Sequence, residues 1–86
     1  MTQAPLPAAT RLEKERADLV RAEKDIAHGQ MRVSEQELRV EQLRGHGREA
    51  VLAEEILATL RATLTEWCAH REEILRTIRR LQGGES

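Results

Sequence analysis

Apolar residues recur three and four apart along two long stretches of this chain, separated by a pair of glycines. In the first stretch Leu12, Leu19, Ile26, Val33 and Val40 return every seven residues, each followed three positions later by Glu15, Ala22, Gly29, Gln36 and Leu43. In the second, Ala50, Ala53, Leu57, Leu60, Leu64, Trp67, Arg71, Ile74, Ile78 and Leu81 alternate three and four apart without a break. A repeat averaging 3.5 residues keeps all such positions on one seam of an α-helix, which is the pattern of coiled-coil pairing. The pattern predicts an all-α fold: a two-helix antiparallel coiled-coil hairpin.

The punctuation of the chain sets the expected boundaries. Residues 1–9 hold Pro5 and Pro7 with little to bury, and read as a disordered leader. Thr10, Arg11, Leu12 and Glu13 have the form of a capping box, so helix one is expected over 10–46. Gly45 and Gly47 place a turn around 45–48, because glycine takes the left-handed conformation that closes a helix. Helix two follows over 49–82, with Glu49, Glu54 and Glu55 near its start and Arg76, Arg79 and Arg80 near its end, the arrangement the helix dipole favours. Residues 83–86 read as a flexible tail, leaving a hairpin domain over 10–82. Each helix would be roughly 50 Å long at 1.5 Å per residue.

Folding at the glycines sets Val40 near Ala53, Val33 near Leu60, Ile26 near Trp67, Leu19 near Ile74 and Leu12 near Leu81. In this register Leu19, Ile26, Val33, Val40, Leu57, Leu60, Leu64, Trp67, Ile74 and Ile78 form the core, and Gly29 and Ala22 leave room for the Trp67 indole as its central member. Three ion pairs are expected between the helices: Glu37 with Arg61, Arg44 with Glu54, and Arg39 with Glu49. Arg71 is the charged residue on the helix-two seam; its stem is expected over Ala22 and its head at Asp18 or Asp25.

A hairpin buries one stripe per helix, and here more apolar residues remain. Val20, Ala27, Met31 and Leu38 lie off the seam of helix one, as do Leu52, Ile56, Cys68 and Leu75 on helix two. Stripes along both helices predict self-association into a two-fold, antiparallel four-helix bundle, with Val20, Met31, Leu38, Leu52, Ile56, Cys68 and Leu75 as the dimer or partner interface.

Composition narrows the function classes. Lys plus Arg total 14 against 15 Asp plus Glu, so the net charge of −1 supplies no positive field for nucleic acid or an anionic membrane. One cysteine excludes an intrachain disulfide framework and suits a reducing, cytoplasmic setting. Aromatic residues make up 1% of the chain and charged residues 34%, which suits long helices rather than a sheet-based enzyme.

The stretch from Gly29 to Leu75 resembles a group of short bacterial helical-hairpin proteins. Gly29, Val33, Gln36, Val40, Leu43, Gly47, Ala53, the run Ile56-Leu57-Ala58-Thr59-Leu60 and the pair His70-Arg71 carry the resemblance. It implies a hairpin that turns at Gly47 rather than Gly45, and it names no activity. Those relatives commonly place an Asp two residues after the turn glycine, where this chain has Glu49, a poorer helix cap.

His28, His46, His70 and Cys68 are the residue types that bind zinc. Their spacing argues against a metal site, because Cys68 and His70 point to different helix faces and no pair stands three or four apart. No cofactor is expected, and two straight helices offer no concave catalytic site. The expected function is therefore a non-enzymatic interaction or scaffolding module acting as a homodimer. Two alternatives stand beside it: a histidine phosphotransfer-like signalling protein using His70, and a small adaptor or chaperone that holds a partner helix on the second stripe.

Overall fold

The computed structural model describes residues 7–83. Two helices make up this part, α1 (Ala8–Gln42) and α2 (Arg48–Gln82), 35 residues each, packed against one another. They form a rod of 60 × 28 × 16 Å with a radius of gyration of 19.1 Å. A compact domain of this length would have a radius of about 12 Å, so the fold is a hairpin and not a globule.

Helix α1 begins two residues before the expected capping box. Pro7 stands at its N-cap and its carbonyl accepts the Arg11 amide at 3.0 Å, with no side-chain cap. Ala8 and Ala9 propagate the helix better than Thr10 starts it, and proline is well suited to the very beginning of a helix. The expected leader thus ends in helix at residues 8–9, and its residues 1–6 lie outside the described residues, as do 84–86 of the expected tail.

Helix α1 also ends early, at Gln42 instead of His46. The Arg44 amide donates to Glu41 and the His46 amide to Leu43, tightened bonds that unwind the last turn. Gly45 at φ 85° and Gly47 at φ 51° then reverse the chain, so both glycines make the turn and not Gly47 alone. Only glycine adopts these values without strain. Gly47 caps α2, which starts at Arg48, and Glu49 in the first turn with Arg79 and Arg80 in the last complement its dipole.

The two expected seams are the faces the helices turn toward each other. Ala22, Ile26, Ala53, Leu57, Ile74 and Ile78 are buried. Leu12, Leu19, Val33, Val40, Leu43, Leu60, Leu64, Trp67 and Leu81 are half-buried. A buried cluster, Ala22 with Ile74 and Ile78 flanked by Leu12 and Leu19, sits toward the open end of the hairpin. Trp67 packs over Gly29, as the small residue there suggested, yet it is half-buried and not the centre of the core. Two helices bury a line of contact, and an indole is wider than that line, so its outer edge stays in water.

Polar contacts fix the register. Gln36, on the α1 seam, donates from Nε2 to the Ala53 carbonyl at 2.9 Å, a bond between helices that a slipped register would lose. Of the three expected ion pairs, Glu37 with Arg61 forms at 2.8 Å. Arg44 instead takes Glu41 on its own chain segment at 2.7 Å, because a carboxylate three residues away needs less side-chain ordering than one across the turn. Arg39 and Glu49 form no ion pair among the described residues.

Arg71 corrects another expectation. Its head does not reach Asp18 or Asp25; Nη2 lies 3.6 Å from Glu72, and Nε is buried with no hydrogen-bond partner. An unpartnered donor on an apolar seam is costly, and an apolar side chain of similar length removes the cost. Arg71→Met is therefore expected to stabilise the hairpin by about 1 kcal/mol in urea unfolding; a lower midpoint would contradict the assignment of Arg71 as a misfit on the seam.

Candidate interaction surface

With the seam positions written a and d of a heptad, every other residue has a defined place around each helix. Positions e and g flank the seam on opposite sides, and b, c and f face outward. The contacts across the hairpin fit this frame. Glu37 and Arg61, both e, meet on one flank. On the other, the g residues Asp18, Asp25 and His70 share a shallow groove with Arg21 and Ala22.

This frame divides the second stripe. On α1, Val20 and Ala27 are b, and Met31 and Leu38 are f, so the four share the outer face. Val20 and Met31 are each 60% exposed and Leu38 65%. On α2 the four apolar residues do not share a face. Leu52 and Ile56 stand on the g side, where they line a groove of about 310 Å³ with Gln36, Arg39, Leu43, Glu49 and Ala53. Cys68 and Leu75 are e residues on the opposite flank, half-buried by the hairpin itself. Ile56 precedes a seam residue by one position and Cys68 follows one, and those two displacements rotate side chains in opposite senses. The exposed Val51 beside Leu52 was missed, because it breaks the spacing of three and four.

The titratable residues do not converge. His28 and His46 are exposed, and among the described residues no three His, Cys, Asp or Glu side chains come together. Cys68 is a free thiol. Asp18 accepts from Lys14 at 2.9 Å, and that hydrogen bond holds its carboxyl below the ordinary aspartate pKa and the Lys14 ammonium above the ordinary lysine value. The groove at His70 thus carries two carboxylates, Asp18 and Asp25, beside Arg21, with Asp18 paired to Lys14.

No helix is long and apolar enough, among the described residues, to cross a membrane. Comparison with protein-family models, curated proteins and solved structures finds no match to this chain. The features that bear on function are therefore its own: one apolar outer face on α1, and apolar patches on the two flanks of α2.

Proposed function

We propose that this chain is a non-enzymatic protein-interaction or scaffolding module that acts as a homodimer, two hairpins assembling four helices. The observation that carries the reading is the exposure of Val20, Met31 and Leu38 along one face of α1. Large apolar side chains gathered on one exposed face mark an association surface.

Kinship with short bacterial hairpin proteins belongs to this reading and rests on the residues from Gly29 to Leu75. A cytoplasmic location belongs to it as well, and rests on the lone, free Cys68. Neither a cofactor nor catalysis has a place in it, and His70 is a surface residue rather than a phosphoryl acceptor.

Thermal unfolding at a series of protein concentrations tests the reading. A homodimer unfolds with a midpoint that climbs with concentration, because association favours the folded state by mass action. A midpoint that stays constant across a hundredfold dilution would favour the adaptor alternative, in which the apolar face waits for a different protein.

A further inference from the structure

The outer face of α1 carries a second heptad repeat, separate from the one that folds the hairpin. Ala17, Lys24, Met31 and Leu38 recur every seven residues, and Val20, Ala27 and Ser34 follow three positions behind the first three. All seven are exposed. They lie on the side of α1 turned away from α2, and they span about 32 Å of helix.

This repeat is complementary to itself when two copies run antiparallel. Setting Leu38 against Val20 of a second copy brings Met31 against Ala27 of that copy, and a two-fold interface makes each pairing twice. One flank of the repeat carries Lys14 and Arg21 toward its start and Glu35 toward its end. The antiparallel register lays Arg21 against Glu35 of the second copy, whereas a parallel pair would set Arg21 against Arg16. Glu35 forms no ion pair among the described residues, and Arg21 has only a 4.0 Å approach to Asp18. On the other flank Glu23 meets Glu37 and Arg16 meets Arg44. Here Glu37 is already neutralised by Arg61 at 2.8 Å, and Arg44 by Glu41 at 2.7 Å.

We propose that a second copy of this chain docks antiparallel along the outer face of α1, with Met31 and Leu38 as its apolar anchors and paired Arg21 and Glu35 side chains fixing its direction. This rests on the homodimer reading and names its surface. The two α1 helices then lie at the centre of a layer of four, with each α2 outside, and Leu52 and Ile56 remain uncovered.

The test is the dimer dissociation constant by sedimentation equilibrium for the unaltered chain and five variants. Met31→Glu puts a charge against the Ala27 contact twice, and is expected to raise the constant about a hundredfold or more. Arg21→Glu and Glu35→Arg each turn two attractive pairs into repulsive ones, for a rise of about tenfold. The double variant R21E/E35R restores both pairs with signs exchanged and is expected to return close to the unaltered value. Ile56→Glu, on the flank of α2, is expected to leave it unchanged. Circular dichroism of each variant reports that the hairpin still folds, since all four positions are exposed within it. A dimer that tolerates Met31→Glu, loses affinity with Ile56→Glu, or gains nothing from the double charge exchange would overturn this docking face and leave dimerisation standing. A chain that is monomeric at every concentration would overturn both.

Discussion

Replacing Gly29 by leucine is expected to cost the hairpin roughly 2–3 kcal/mol, a large fraction of the stability of a chain this small. Gly29 is where α1 comes closest to the broad side chains of α2. A Cβ placed there would stand 3.1 Å from Leu64 Cδ1, 3.3 Å from Trp67 Cζ3 and 3.4 Å from Trp67 Cε3. The first added carbon is already tighter than ordinary contact, and three more have nowhere to go unless the helices separate or the indole swings into water. Either response disrupts the neighbouring layers. Gly29→Ala separates the two terms of the effect. Alanine gains about 1 kcal/mol of helix propensity over glycine, and small movements of Leu64 and of the half-exposed indole relieve its single methyl, so the net change should be near zero. Urea unfolding followed by circular dichroism measures both. A Gly29→Leu protein as stable as the original would mean that Trp67 does not pack where the register places it.

The second large effect separates two isoleucines of the same helix. Ile74 is 4% exposed within a buried cluster, against Ala22 and Ile78, while Ile56 is 52% exposed on the flank. Ile74→Ala removes buried carbons and leaves a void that two rigid helices close only in part, for an expected loss of about 2–4 kcal/mol. Ile56→Ala is expected to change stability by no more than about 0.5 kcal/mol. Equal losses at the two positions would contradict the assignment of the seam.

This contrast also explains what the sequence could convey. The seam was legible from Leu12 to Leu43 and from Ala50 to Leu81, because a 3.5-residue repeat has one geometric meaning on a helix, and the glycines at 45 and 47 have one use in a reversal. The helix ends were less legible. Thr10 offered a cap, but Pro7 outcompeted it by starting a helix without needing one, and the sequence does not weigh one start signal against another. Long charged side chains were the least legible. Arg44 chose Glu41 over Glu54, and Arg71 stopped at Glu72, since a flexible cation settles on whichever carboxylate costs least to reach, within a few ångströms that depend on exact rotation. The candidate surface suffered from the same loss of rotation. Leu52, Ile56, Cys68 and Leu75 look like one stripe when read by spacing, and only their displacement from the seam shows that they occupy two flanks.

On α1 that ambiguity does not arise. Val20, Ala27, Met31 and Leu38 lie on one outward face, and the account of this protein depends on what covers it. The most direct measurement is the solution mass by light scattering over a dilution series. A homodimer gives twice the chain mass of 9.8 kDa at high concentration, falling toward the chain mass only on strong dilution. A mass of 9.8 kDa throughout would contradict it.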